Sequence, residues 1–197
     1  MSRIWQVLCG RGLSIATPRH HNYSPRSIAY GNLKQRRTQR EVPVPPWGVL
    51  ADYVPFYFAP CSPMLYAIHK GFVRSSLSQE EIIYLVTSVE KVAQAGKAFV
   101  FTDRHPLSTS ARFSNDLNKL DQYVDQDVMR SRYWYDCPQF PDRRSRRQAE
   151  FLVHCQVEWS LIEQIGVFDR TRMVQVSQIL QHATYRPPVL VERDWYY

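Results

Sequence analysis

The sequence predicts an α+β fold with a mixed or antiparallel central sheet and short helices, and three observations carry that prediction. Short runs of strand-forming residues are interspersed with short helical segments, with no regular strand–helix repeat. The glycine-rich turns of doubly wound nucleotide folds are absent: neither GxGxxG nor GxxxxGK followed by Ser or Thr occurs. The 197 residues are 44% hydrophobic, which suits one globular domain with a sizeable core.

Taken in order, residues 5–13 (WQVLCGRGL) read as a short helix closed by Gly12. Residues 16–32 are polar, contain Pro18 and Pro25, and read as loop. Residues 32–40 (NLKQRRTQR) form a basic helical turn or loop. The stretch 41–48 (EVPVPPWG) is expected to be extended, because each proline biases the residue before it away from helix. Residues 53–58 (YVPFYF) are rich in strand formers, although Pro55 demotes the strand to an edge or interrupts it. Ser62-Pro63 opens a helix that Gly71 stops. Residues 79–86 (QEEIIYLV) run into a buried strand, and Ser88 caps a short helix ended by Gly96. Residues 98–103 (AFVFTD) are a strand. A long polar and aromatic connection follows over 104–149, with one helix near 116–123; a span of this length is usually functional or mobile. Residues 150–157 alternate as a strand, and QIGVFD gives another. A helix spans about 170–182 on apolar Met173, Val176, Ile179 and Leu180. PPVLVER is the last strand, before Trp195-Tyr196-Tyr197.

The net charge of +7 favours an anionic partner, such as nucleic acid or a dinucleotide. The excess is concentrated in residues 1–40, which contain no Asp or Glu. Cys9, Cys61, Cys137 and Cys155 show no C-x-x-C spacing, which argues against a zinc finger and fits reduced thiols in the cytoplasm. Cys155 alternates with apolar residues and is expected in the core. No run approaches the ~18 apolar residues of a membrane span, and the start lacks the apolar region of a secretory signal. No metal is expected: HExxH is absent, and adjacent loop histidines such as His20 and His21 are more often solvated.

The richest chemistry lies around Glu150. Arg143, Arg144, Arg146 and Arg147 precede it, and it opens the apolar run Phe151-Leu152-Val153. The arginines can neutralise phosphates without reading base sequence, and the carboxylate can then act on what they hold. The bland alternative is a solvated charged loop before an ordinary strand. Tyr133, Trp134 and Tyr135 lie just upstream, and aromatics interleaved with arginines can stack on unpaired bases; packing against the core is the competing role. Arg36, Arg37 and Arg40 form a second basic cluster, with a solvated face as its plain reading. Asp52, Tyr53, Tyr57 and Tyr66 flank a dense apolar segment where core packing is the default. Thr102-Asp103 ends a strand, where pockets often form.

Together these segments resemble the DarT family of DNA ADP-ribosyltransferase toxins. The resemblance rests on LKQRRTQREVPVP at 33–45, DYVPFYFAPCSPMLYAIHKG at 52–71, FVFTDRHP at 99–106 and RRQAEFLVH at 146–154. It extends from about residue 28 to the terminal WYY. It implies a single domain over 1–197 of the poly(ADP-ribose) polymerase-like fold. Such a domain cleaves NAD, consumed as a co-substrate, and attaches ADP-ribose to a base of single-stranded DNA, thymine in many members. Glu150 falls on the family's catalytic glutamate. Arg37 falls on the arginine that assists catalysis at NAD, with Arg36 as the alternative alignment. Gly12-Leu13 matches a cofactor-holding turn, and Tyr57 and Tyr66 are expected beside the cofactor. Residues 104–149 take the place of the loop that reads DNA, with Arg143, Arg144, Arg146, Arg147, Tyr133, Trp134 and Tyr135 as its contacts. The resemblance also implies an antitoxin partner with an ADP-ribose-removing macrodomain of the DarG kind, and a monomeric enzyme. One departure stands out. Family members begin with a strand carrying a His-x-x-His-like pattern, and here only IWQVLCGRGL stands in that place, so the N-terminal strand is expected to be missing or shrunken. Two other classes remain open: a single-stranded nucleic-acid-binding module that has lost catalysis, and a protein-directed transferase of the same fold.

Overall fold

The computed structural model describes residues 2–9, 31–72 and 78–197; Gly12, Leu13, His20 and His21 lie outside the described residues. Strands β1 (Arg3–Cys9), β2 (Tyr53–Tyr57), β3 (Ile82–Ser88), β4 (Phe99–Thr102), β5 (Phe113–Ser114), β6 (Glu150–His154), β7 (Gln164–Val167) and β8 (Val189–Val191) make one sheet. Their order is β5-β4-β6-β2-β1-β3-β7-β8. Neighbours are antiparallel except β7 and β8, which run parallel. The sheet is therefore mixed, and short helices pack on it.

Residues 3–9 are a strand, not the helix read from 5–13, and an N-terminal strand stands where one was expected to be missing. A short apolar run does not declare its period. Here the buried strand β3 supplies a backbone partner for every residue from Arg3↔Ser88 to Cys9↔Ile82, and pairing decides. On its other side β1 meets β2 only at Trp5↔Tyr57. The sheet is thus two well-paired halves joined at one narrow seam.

β2 is interior, not an edge, despite Pro55. The Cys155 N–H donates to Asp52 O at 2.8 Å. Antiparallel pairs alternate between bonded and non-bonded, so Pro55↔Leu152 is a non-bonded pair. The missing N–H of Pro55 therefore faces the sparsely paired β1 side and removes no bond to β6. Residues 41–48 are not simply extended. They fold back so that Glu41 bridges Val49 and Val42 N–H donates to Gly48 O at 2.9 Å.

Along β6 the side chains alternate. Phe151 and Val153 face a core with Phe56, Phe101, Val89, Val92, Leu120, Val124 and Met129. Leu152 faces the other way, with Val42, Leu50, Tyr53, Val100 and Phe113. In the second half Ile83 and Leu85 pack on Val176 and Leu180 of α7 (Arg170–Leu180). Ile179 is exposed, so that helix buries a narrower stripe than its apolar residues suggested. Cys155 is also exposed, beyond the end of β6 and at positive φ, because the strand stops at His154.

The capped helices form as their sequences require. In α2 (Pro63–His69) Ser62 Oγ accepts from Leu65 N–H at 3.2 Å, with proline in the first turn. In α3 (Val89–Gln94) Ser88 Oγ accepts from Lys91 N–H at 3.4 Å. The connection 104–149 holds more order than the single helix expected. It contains β5 and, besides α4 (Leu120–Tyr123), the short helices α5 (Gln126–Arg130) and α6 (Arg143–Arg146).

Candidate active site

Glu150 begins β6 and is only 3% exposed. Its position is fixed first through the backbone. Its N–H donates to Thr102 Oγ1 at 3.0 Å, and the same hydroxyl donates to Arg104 O at 2.8 Å. The β4–β6 ladder thus ends on a side chain instead of a carbonyl. Across the sheet Glu150 is opposite Tyr57, which is itself opposite Trp5, so the carboxylate belongs to the seam between the two halves.

α1 (Gly31–Gln39) brings Arg37 over this seam. Arg37 Nη1 donates to Glu150 Oε2 at 2.9 Å and to Oε1 at 3.3 Å, and Nη2 donates to Leu50 O at 3.4 Å. The planar fork lets one residue hold carboxylate and backbone together. A buried carboxylate without such a partner would be costly. Arg36 is exposed on the same helix and makes no contact of this kind with Glu150 among the described residues. The geometry therefore favours Arg37 over the alternative alignment.

Burial, and then the Glu150 carboxylate, push the Tyr57 phenol well above its ordinary range, with Arg37 opposing. The phenol stays a neutral donor beside the carboxylate. His105 is a member of this neighbourhood that a lone histidine in a sequence does not announce. Burial lowers its imidazole below the ordinary value, Glu150 opposes that, and Arg37 and Arg36 add to it. Its Nδ1 accepts from Leu107 N–H at 3.1 Å, which assigns the ring proton of the neutral form to Nε2. Next to it a groove of about 520 Å³ is lined by Arg36, Arg104, His105, Arg144 and Gln148 among others. The Tyr66 ring meets Trp134, Tyr197 and Phe72 edge-on, in an aromatic cluster.

The arginine run splits by role. Arg147 is buried, and its guanidinium donates to the carbonyls of Val128, Met129, Ser131 and Pro60 at 2.6–2.9 Å. It is an internal strut, which corrects its assignment as a phosphate contact: one turn of helix places it inward. Arg146 is neutralised by Asp125 at 3.0 Å and Asp142 at 2.9 Å. Arg143 is half-buried, donating to Ser131 Oγ and lying over Phe140. Arg144 is the exposed one, with Asp136 at 3.8 Å. Among the aromatics Trp134 is buried and donates to Tyr197 Oη at 2.9 Å, so it packs and is closed to bases. Tyr133 and Tyr135 are 67% and 64% exposed, with ring centroids 6.2 Å apart. Asp103 is buried beneath Arg112 at 3.0 Å and Arg104 at 3.3 Å and anchors the turn that carries His105.

Among the described residues no group of three or more His, Cys, Asp or Glu could hold a metal ion, and no helix is long and apolar enough to cross a membrane.

A sequence model of the family described as "ssDNA thymidine ADP-ribosyltransferase, DarT" matches residues 7–197. A DNA ADP-ribosyl transferase of Thermus sp. (strain 2.9) is 46% identical over 182 residues, covering 90% of this chain and 85% of that protein. The structure of Thermus sp. 2.9 DarT in complex with ADP-ribosylated ssDNA superposes with a TM-score of 0.90 at 41% identity, covering 100% of this chain and 96% of that one. The same enzyme in complex with NAD+ gives a TM-score of 0.85 at 39% identity, over 100% and 98% of the two chains.

Proposed function

This chain belongs to the DarT family of single-stranded-DNA thymidine ADP-ribosyltransferases, and on that premise we propose that Glu150 and Arg37 carry the transfer of ADP-ribose from NAD to a thymine base. The observation that supports these two residues is the ion pair between half-buried Arg37 and buried Glu150 at the sheet seam.

The reaction breaks the bond between the ribose anomeric carbon and nicotinamide, which leaves as the neutral base. It forms a bond from that carbon to a thymine ring nitrogen, and the proton on that nitrogen must be removed. Positive charge develops on the ribose as the first bond opens. Glu150 hydrogen-bonds a ribose hydroxyl, offsets that charge, and receives the nitrogen's proton before passing it to water. Stabilising charge where it develops is usually the largest catalytic contribution. Arg37 holds the carboxylate in place beforehand, so little reorganisation is needed during the reaction. Tyr57 adds a neutral donor beside it. Gly12 and Leu13 remain proposed contacts to NAD. On the DNA side Arg144, Arg143 and the exposed Tyr133 and Tyr135 are the available groups: the arginines for phosphates, the tyrosines for bases. A single strand is the substrate because a duplex hides the base edge, and extrusion costs a few kcal/mol.

As a toxin, the protein would act as a monomer in the cytoplasm, countered by an antitoxin bearing an ADP-ribose-removing macrodomain; these points rest on the family resemblance.

The test combines purified protein, NAD and a mixed-sequence single-stranded oligonucleotide, read by mass spectrometry, with Glu150→Gln in parallel. One ADP-ribose is expected on the strand with the parent protein, and a rate lower by about 100-fold or more with the variant. A folded Glu150→Gln protein that labels at the original rate would remove Glu150 from the mechanism.

A further inference from the structure

Trp47 combines two costly features. Its φ is +66°, in the left-handed region that bulky residues avoid. Its side chain is 56% exposed, and among the described residues the indole makes no ring contact or hydrogen bond. The surrounding loop holds this conformation from several sides. Trp47 N–H donates to Val44 O at 3.0 Å, and Tyr53 Oη donates to Trp47 O. Val49 N–H donates to Asp52 Oδ2 at 2.7 Å, and Asn115 Nδ2 donates to Pro45 O at 3.2 Å. Gly48 is at φ +81°, where a side chain is strained, and a Cβ there would lie 2.5 Å from Asp52 Oδ2 and push that carboxylate off the Val49 N–H. The loop thus presents a large aromatic ring to solvent on a rigid tip. Backbone outliers fixed in this way cluster at ligand clamps.

The location is also informative. Leu50, three residues on, accepts from Arg37 through its carbonyl and donates its N–H to Arg40 O at 2.9 Å. Three residues of chain span at most about 11 Å, so the Trp47 backbone lies within that reach of Leu50, the residue that holds Arg37 and the end of the basic segment 31–40. An exposed, rigid aromatic next to cations is the pairing that holds single strands: rings take the bases and charges take the phosphates.

We propose that the Trp47 indole is a stacking platform for a base flanking the modified thymine. The inference rests on the reading of the protein as a single-strand-directed transferase, and it adds a subsite to that reading.

The test uses Trp47→Asn, because asparagine accepts left-handed backbone, together with Trp47→Tyr, which keeps an aromatic face. The probes are dye-labelled single strands containing one thymine, with each neighbouring nucleotide replaced in turn by an abasic one. Trp47→Asn should melt no lower than the parent while its strand affinity falls roughly tenfold or more, and Trp47→Tyr should recover most of that loss. At one flanking position the abasic replacement should weaken binding to the parent and add nothing in Trp47→Asn, the non-additivity expected of two groups that touch. Unchanged strand affinity in Trp47→Asn overturns the proposal. So does full additivity at every position, or a variant that loses only binding to a macrodomain antitoxin. If the parent protein binds the strand but never labels it with NAD, the transferase reading fails, and strand affinity with and without Trp47 still decides the stacking inference.

Discussion

At the scale of single residues, Glu150 is held from three directions: its N–H by Thr102, its carboxylate by Arg37, and its strand position by Tyr57. Arg37 is the member whose shape matters most, because one guanidinium reaches both carboxylate oxygens and the Leu50 carbonyl. Lysine carries the charge without the fork. Arg37→Lys should therefore keep the fold and lose a charge-assisted hydrogen bond of about 1.5–3 kcal/mol, which lowers the transfer rate about tenfold or more. Single-turnover labelling of a thymine-containing strand checks this, and a rate equal to the parent's would show that charge alone suffices. Trp47 is the opposite kind of residue, since its left-handed backbone costs about 1–2 kcal/mol and, among the described residues, its indole makes no hydrogen bond or ring contact in return.

At the scale of elements, the segment from α5 to α6 is organised around the buried Arg147. The short helix α6 turns that guanidinium inward, where it ties the carbonyls at the end of α5 to Pro60, next to α2. Arg146 adds ion pairs to Asp125 and Asp142 on the surface of the same unit. Replacing Arg147 by methionine fills similar space and leaves four carbonyls without their donor. Each buried, unsatisfied polar group costs about 1–3 kcal/mol. Arg147→Met should thus destabilise the protein by about 3 kcal/mol or more, with faster hydrogen exchange across 126–135. Denaturant unfolding and exchange mass spectrometry measure both. Unchanged stability with weaker DNA binding would restore Arg147 to the surface role read from the sequence.

At the scale of the whole molecule, residues 195–197 stitch distant parts together. Tyr196 Oη donates to Ile82 O at 2.9 Å and Tyr84 Oη donates to Trp195 O at 2.9 Å, binding this segment to β3. Tyr197 Oη donates to Cys61 O at 2.6 Å while accepting from Trp134. Trp195 lies so close over β7 that a Cβ on Gly166 would come within 2.4 Å of its ring. Gly166→Ala must displace the indole and disturb the packing of Tyr84 and Tyr196. Overpacking of this kind costs about 1–3 kcal/mol, so the variant should melt at a lower temperature while leaving the Arg37–Glu150 pair in place. A thermal scan alongside the labelling assay separates the two effects; an unchanged melting temperature would mean that Trp195 moves aside freely.

The sequence by itself determined the class of fold, most elements and the central acid. Caps such as Ser62 and Ser88 are local: a hydroxyl meets an N–H three residues away, whatever the rest of the chain does. Glu150 was legible because an acid after a basic run and before an apolar strand is an unusual juxtaposition, and the family resemblance then named it. The tertiary structure decided what depends on distant partners. It made residues 3–9 a strand, because β3 offered a ladder along their whole length. It admitted Pro55 to an interior strand, because the side lacking an N–H faces the seam. It turned Arg147 and Trp134 inward and left Arg144, Tyr133 and Tyr135 outside, although the sequence grouped them alike. It brought Arg37 and His105 to Glu150 from separate parts of the chain. Residue type and spacing fix local hydrogen bonding and period. The face a side chain presents, and the charge it meets there, are set by segments that are remote in sequence.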